Sequence, residues 1–280
     1  MLRYVRVDTE EDLLDALHKD GAWLLSGGTD LLVKMRSGLV RPKSLVDPAG
    51  VPELRGIETA SGALRIGAAT PLVEILASKD VAGRAPLLVD VLRTLGCVQI
   101  RNRATLGGNL ANASPAADSA IPLLLYETVL ELRGGDGDRT VPIGEFFLGP
   151  GRTLLRRGEY IRVVSIPASR DDWLPFFHKV GRRRALTIAI ASVGGLAAGP
   201  KGSAVDVRLA AGSVAPVPLR LRSVERWLAG RALDDEAIAH AAELAAQEVS
   251  PIDDVRATAL YRRAVTRDLV VRFLERVCNT

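Results

Sequence analysis

Two glycine pairs, Gly27-Gly28 and Gly107-Gly108, constrain this chain more than any other feature of its sequence. The first lies in Leu24-Leu25-Ser26-Gly27-Gly28-Thr29-Asp30-Leu31, between a short apolar run and a stretch of helical character. The second lies in Thr105-Leu106-Gly107-Gly108-Asn109. Glycine reaches backbone conformations closed to other residues and lets the backbone come close to a ligand. Successive N–H groups in such turns form anion-binding concavities. A following helix start adds a favourable dipole. Thr29 and Thr105 add hydroxyl donors, so a pyrophosphate is a suitable guest. Either pair alone reads as a tight turn. Two pairs, each followed by polar residues, point towards a nucleotide cofactor. Neither fits G-x-G-x-x-G or G-x-x-x-x-G-K-[ST], so a Rossmann site or a P-loop is not supported.

The surrounding pattern is one of short mixed elements. Thr9 with Asp12 is a capping-box variant, and Leu13, Leu14 and Leu17 follow on one helical face until Gly21. Residues 23–25, 44–47 and 64–69 read as strands, the last after a Ser61-Gly62-Ala63 turn. Thr70-Pro71 reads as the N-cap and first residue of a helix through Leu76. Residues 85–95 and 118–125 read as helices. Between them, residues 96–115 are polar and aperiodic, and a long irregular stretch in a folded domain is functional or disordered. Residues 128–133, 139–142 and 160–166 read as strands. After a polar linker at 168–173 come strands at 176–180, 187–198 and 205–212, then helices at 219–229, 235–249 and 257–277. Tyr261, Val265, Leu269, Phe273 and Val277 recur every four residues and mark a buried stripe. Strands followed by helices predict an α+β domain.

Composition excludes several classes. With 280 residues the chain is long enough for two domains, and 48% apolar and 25% charged residues are globular averages. Cys97 and Cys278 alone cannot build a cysteine-ligated iron–sulfur cluster or a cysteine zinc site, and with three histidines no metal centre is expected. A net charge of +4 and 4% aromatic residues argue against a nucleic-acid binder. No apolar run reaches bilayer length and no secretory signal is visible, so a cytoplasmic protein without a membrane span is expected. The run Arg182-Arg183-Arg184 reads as a solvated turn or docking face, Asp253-Asp254 as a cap on the last helix, and Cys97 as an inert buried thiol.

S-G-G-T-D-L-L-V-K-M-R at 26–36 and T-L-G-G-N-L-A-N-A-S-P-A-A-D at 105–118 resemble the two flavin-binding segments of the FAD-binding subunit of molybdenum hydroxylases. F-H-K-V-G-R-R-R-A-L-T-I-A at 177–189 and S-P-I-D-D-V-R-A-T-A-L-Y-R-R at 250–263 extend the resemblance over nearly the whole chain. It implies an α+β architecture: a two-lobed FAD-binding domain of the PCMH type at 1–170, with lobes at about 1–52 and 53–170, then a domain at 174–280 with a three-stranded antiparallel sheet and a helical bundle. Leu24, Leu25, Ser26, Gly27, Gly28, Thr29, Asp30 and Leu31 would wrap the pyrophosphate from one side. Thr105, Leu106, Gly107, Gly108 and Asn109 would contact it from the other, through backbone N–H groups and the Thr105 and Asn109 side chains. Asp118 would meet the adenosine ribose, Leu95 and Ile161 would pack against flavin or adenine, and Lys179 would stand near the isoalloxazine. Two positions depart from the family pattern: Thr187 where Asp is frequent, and Ser26 where Ala is common.

The resemblance further implies an electron-transfer subunit of an oxidoreductase complex, a heterotrimer. Its partners would be a small subunit with [2Fe–2S] clusters and a large molybdopterin subunit, and its acceptor NAD, a quinone or oxygen. No side chain is assigned as a catalytic acid or base. The rival reading is a flavin-free scaffold that keeps the fold. Intact Gly27, Gly28, Gly107, Gly108 and Asp118 argue against that rival.

Overall fold

Thr9 caps the first helix, Glu10–His18, by accepting from the Asp12 N–H at 3.1 Å. The computed structural model describes residues 1–183, 187–199, 203–204 and 206–280. They fall into two units that do not divide at one point in the chain. The first holds residues 1–84, 96–113 and 128–168. The second holds 85–95, 114–127 and the described residues from 169 to 280.

The first unit contains a parallel sheet in which Ser44–Asp47 lies between Arg3–Arg6 and Ala22–Leu24. The strand Arg3–Arg6 carries no alternation of apolar and polar residues and is exposed at all four positions, so pattern reading gives no strand there. A second, antiparallel sheet runs in the order Ile57–Ala60, Ala63–Gly67, Tyr160–Ile166, Val129–Gly134, Gly137–Pro142. The first helix joins the two sheets. Leu13, Ala16 and Leu17 pack with Val7, Val46, Val51, Leu54 and Tyr160 in one buried cluster.

Glu10, the first residue of that helix, is buried and anchors it to the antiparallel sheet. Its carboxylate accepts from Tyr160 Oη at 2.9 Å, twice from Arg162 at 2.9 Å and from Arg133 at 2.8 Å. Every lone-pair direction of the carboxylate therefore has a donor, the condition under which a buried charge is tolerated. Burial and the Glu10 carboxylate together push the Tyr160 phenol well above its ordinary range.

Two local expectations are corrected here. Pro71, not Thr70, is the N-cap of the helix Leu72–Ala77. The Thr70 hydroxyl instead bonds the Gly56 backbone, accepting from its N–H and donating to its carbonyl. Residues 96–115 are also not irregular throughout, because they hold the short helices Val98–Arg101 and Leu106–Ala111. Four- and six-residue helices are too short to show a period.

The second unit is built on an antiparallel sheet in the order Leu174–Val180, Ala191–Ala198, Asp206–Gly212, Leu219–Arg220. The three long strands match the expected sheet, and the two-residue Leu219–Arg220 adds a fourth. The expected strand at 187–198 begins only at Ala191, with Ile188 exposed before it. Arg184, Ala185, Leu186 and Val205 lie outside the described residues. The helices Arg222–Leu228, Asp235–Glu248 and Ala259–Asn279 pack on the sheet through Leu228, Ala241, Ala245, Leu269, Val270 and Phe273.

Ala191–Ala198 is buried at every position, and its Gly194-Gly195 pair explains how both its faces are covered. A Cβ on Gly194 would come within 2.4 Å of Ile121 Cγ2, and one on Gly195 within 2.6 Å of the Phe273 ring. The helix Ala120–Leu125 thus approaches from one side and the last helix from the other. Gly195→Ala is expected to destabilise the protein by about 1–3 kcal/mol, the usual range for overpacking a filled core. Urea denaturation measures it, and an unchanged midpoint would refute this packing account.

The last helix is capped by Thr258, which accepts from the Tyr261 N–H at 3.2 Å, while Asp253 accepts from the Ala259 N–H. Asp254 does not cap the helix but organises the loop before it. Although partial burial opposes its ionisation, N–H bonds from Arg256 and Ala257 and the Arg262 guanidinium hold Asp254 down at about 2. The buried Arg262 in turn donates to the carbonyls of Ile190 at 2.7 Å and Ser213 at 2.8 Å.

Candidate functional site

The first glycine segment is a loop whose N–H groups lack protein acceptors. The Leu25 N–H closes the parallel sheet by donating to Val46 O at 2.7 Å. The next N–H with an acceptor is Leu32, which donates to Gly28 O at 3.1 Å. Among the described residues nothing accepts from the N–H groups of residues 26–31. Gly28 has φ +73°, the left-handed conformation that turns the loop into the helix Leu31–Arg36. Six successive free donors form a concavity suited to an anion with several oxygens.

Gly27 brings this loop against the second glycine segment. A Cβ there would stand 2.2 Å from Arg103 O and 2.7 Å from Ala104 Cα. Next to that contact, Ser26 Oγ and Thr105 Oγ1 are hydrogen-bonded at 2.7 Å, and Lys34 Nζ donates to Asn112 Oδ1 at 2.5 Å. Residues 78 and 79 apart in sequence are thereby tied side by side.

The second segment behaves differently from the sequence expectation. Its N–H groups are already used: Leu106 donates to Thr70 O at 3.4 Å, Gly107 to Ala68 O at 2.9 Å and Asn109 to Thr105 O at 3.0 Å. The Gly108 N–H donates to Thr105 Oγ1 at 3.1 Å, so Thr105 is a helix N-cap. This segment therefore offers side chains rather than a backbone nest. Gly107 is required by packing, since a Cβ would meet Ala68 Cβ at 2.5 Å.

Both segments line one cavity of about 750 Å³ in the first unit. That lies within the ~300–1,000 Å³ typical of cofactor sites. Of the residues singled out from sequence, Leu24, Ser26, Gly27, Gly28, Thr29, Asp30, Leu31, Thr105, Gly107, Gly108, Asn109 and Ile161 are on its wall. Leu25 and Leu106 are not. Sequence reasoning missed Trp23, Arg156, Arg157, Glu159 and Tyr160, which also line it. Arg156-Arg157 offered a weak signal as a basic pair next to a glycine, but nothing in sequence placed it near residue 27. The cations Lys19, Lys34, Arg156 and Arg157 outnumber the carboxylates Asp30 and Glu159 on the wall. Glu159 is held below its ordinary range by the Arg139 guanidinium, which it binds at 2.8 and 2.9 Å. The free N–H run, the cation excess and the volume fit a large anionic dinucleotide.

Leu95, Asp118 and Lys179 belong to the second unit. Leu95 is the C-cap of the helix Pro86–Thr94. Lys179 Nζ donates to Asp118 Oδ2 at 2.7 Å and to Thr94 O at 2.9 Å. Both side chains are only 8% exposed. Asp118 Oδ1 is buried without a partner. Burial raises the Asp118 pKa, and the Lys179 charge and hydrogen bond oppose the rise. Asp118, expected at the ribose, and Lys179, expected near the isoalloxazine, are in direct contact. They form one buried pair. His178, on the same strand, is lowered below the usual imidazole range by burial and by Arg272.

Known proteins give the class of this arrangement. Residues 1–169 match the model for the FAD binding domain in molybdopterin dehydrogenase, and residues 176–277 match the CO dehydrogenase flavoprotein C-terminal domain. The fold and site define a flavoprotein oxidoreductase subunit. The glyceraldehyde dehydrogenase medium chain of Sulfolobus acidocaldarius is 32% identical over 98% of this chain and 97% of its own length. The carbon monoxide dehydrogenase medium chain of Hydrogenophaga pseudoflava is 33% identical over 94% of this chain and 91% of its own. A solved carbon monoxide dehydrogenase from Hydrogenophaga pseudoflava superposes with a TM-score of 0.93 at 32% identity, covering 97% of this chain and 95% of that one. The chain belongs to the FAD-binding medium-subunit family of the molybdenum hydroxylases, and its cofactor is FAD.

Proposed function

We propose that this chain is the electron-transfer subunit of a molybdopterin-dependent hydroxylase or dehydrogenase. In this reading it takes electrons from [2Fe–2S] clusters of a small partner subunit and passes them to an external acceptor: NAD, a quinone or oxygen. Substrate oxidation takes place in a large molybdopterin subunit. The chain acts in the cytoplasm. Among the described residues no helix is long and apolar enough to cross a membrane.

The observation that carries the proposal is the run of unpartnered N–H groups at 26–31 on the wall of the large cavity. In this reading residues 1–170 bind the dinucleotide and residues 174–280 form the second domain. Residues 26–31 hold the pyrophosphate by backbone donation, with Thr105 and Asn109 adding side-chain contacts. Lys34, Arg156 and Arg157 supply positive potential, and Leu24, Leu31 and Ile161 exclude water. When bound, FAD supplies the redox chemistry, and the protein binds and orients it and tunes its potential.

The test is a visible spectrum of the purified chain with assay of FAD released on heating. Flavin in near-stoichiometric amount is expected, followed by capture of the iron–sulfur and molybdenum subunits. A colourless chain that takes up no added FAD would overturn the proposal in favour of a flavin-free scaffold.

A further inference from the structure

We infer that Ile252, Val255, Leu260 and Tyr261, with Ile188 beside them, form a docking surface on the second unit for an acidic partner, the subunit that carries the [2Fe–2S] clusters. This rests on the electron-transfer reading above and gives the Arg182-Arg183 motif a use.

Exposed large apolar side chains are not scattered over the second unit. Among its described residues all of them lie at 188 and 252–261. Ile252 is 70% exposed, Val255 86% and Leu260 78%. Two hydrogen bonds bring the segments together. The Arg182 guanidinium donates to Val255 O, and Arg262 Nη1 donates to Ile190 O at 2.7 Å. The loop that displays these side chains is tied at several points. Asp254 Oδ1 accepts from the Arg256 N–H at 2.7 Å, the Ala257 N–H at 3.2 Å and Arg262 Nη2 at 2.7 Å. Burying the Arg262 guanidinium is costly unless its donors are used, and their use fixes a loop whose apolar side chains face water. Clustered exposed apolar side chains mark interaction sites. A backbone fixed beforehand lowers the ordering cost of association. The charge around the cluster selects the partner. Residues 182–183 and 250–263 carry five arginines and two carboxylates. Asp254 is spent on Arg256 and Arg262, and Asp253 accepts from the Ala259 N–H. The surface is therefore complementary to an acidic one. A [2Fe–2S] cluster on four thiolates carries net negative charge in both oxidation states, so the cluster-bearing subunit is the partner that fits.

The test is the double variant Val255→Glu/Leu260→Glu in the full chain. Both positions are exposed, and neither lines the cofactor cavity. Affinities of the FAD-loaded wild type and variant are measured for the separately purified iron–sulfur subunit and for the molybdopterin subunit. Flavin content and thermal midpoint of each protein are recorded in parallel. The variant is expected to raise Kd for the iron–sulfur subunit about thirtyfold, the loss of an interface hot spot. Flavin content, midpoint and affinity for the molybdopterin subunit are expected to stay at wild-type values. Wild-type binding is expected to weaken several-fold between about 50 mM and about 300 mM salt, because rim charges are screened. If the double variant lowers the midpoint, Ile252→Ser/Val255→Ser reads the same contact without added charge. An unchanged Kd for the iron–sulfur subunit would overturn the inference. So would a loss confined to the molybdopterin subunit, which would give the surface to the other partner, or binding indifferent to salt. A wild-type chain that holds FAD but binds neither subunit fails the electron-transfer reading itself, and this is recognised before any variant is compared.

Discussion

Gly27→Ala is expected to empty the cofactor cavity of flavin and to destabilise the first unit by about 3 kcal/mol, the upper part of the overpacking range. The added Cβ would stand 2.2 Å from Arg103 O and 2.7 Å from Ala104 Cα. Both are backbone atoms, so no rotamer change relieves the overlap. Either the loop 26–31 lifts off the 103–105 strand of chain or that backbone retreats. Each movement breaks the Ser26–Thr105 bond and spreads the run of free N–H groups. Gly28→Ala makes the informative contrast. There the obstacles are the side-chain ends of Leu32 at 3.1 Å and Leu25 at 3.2 Å, which can shift, together with φ +73°. A non-glycine residue in that left-handed region costs roughly 1–2 kcal/mol. Urea denaturation and flavin content of both variants separate the cases. Retention of FAD and of the wild-type midpoint by Gly27→Ala would refute the loop-on-loop arrangement.

Lys179→Met is expected to be at least as damaging, through electrostatics rather than packing. It leaves the Asp118 carboxylate buried with neither oxygen paired, since Oδ1 already lacks a partner. Removing one member of a buried pair typically costs about 3–5 kcal/mol. The loss depends on pH in a defined sense. Burial raises the folded-state pKa of Asp118 above the ordinary carboxylate range, and Lys179 opposes that rise. Without Lys179 the folded pKa rises further. A raised acid pKa means that the folded state prefers the proton, so the charged form penalises folding increasingly as pH climbs above the unfolded value. The deficit of Lys179→Met relative to wild type is therefore largest at neutral pH and shrinks as Asp118 protonates on acidification. The double variant Lys179→Met/Asp118→Asn should recover much of the loss at pH 7. Thermal unfolding of the three proteins between pH 4.5 and pH 7.5 checks this. A deficit that stays constant over that range would mean the carboxylate is not held in a buried pair.

These two variants also mark where sequence reading stops. Gly27 stood out at once, because a glycine pair between an apolar run and a polar helix start is a local signal. Its partner did not: the Arg103 and Ala104 backbone carries no side-chain signature. Thr105 reads as a ligand hydroxyl, but it is an N-cap that accepts the Gly108 N–H, and the Leu106 and Gly107 N–H groups are taken by Thr70 and Ala68 in another segment. Asp118 and Lys179 were each legible as charged residues in matching motifs. That they hold each other across 61 positions was not. The same is true of Glu10, whose three partners lie 123, 150 and 152 residues away.

The sequence by itself determined what depends on neighbours along the chain. The strand Tyr160–Ile166, the Thr9 cap and the buried positions Leu269, Phe273 and Val277 of the last helix follow from period, propensity and capping chemistry, which act over a few residues, whereas Tyr261, expected in the same stripe, is exposed and Val265 only half-buried. The two flavin-binding segments and the family are also written there. Tertiary structure alone decided which donors are free and which charges are paired. It placed the helices Pro86–Thr94 and Ala120–Leu125, from the middle of the chain, with the C-terminal sheet rather than with their sequence neighbours. The physical reason is that burial and hydrogen-bond satisfaction are properties of the whole packed unit. A donor is spent or spare, and a carboxylate paired or orphaned, only once distant segments have been brought against it.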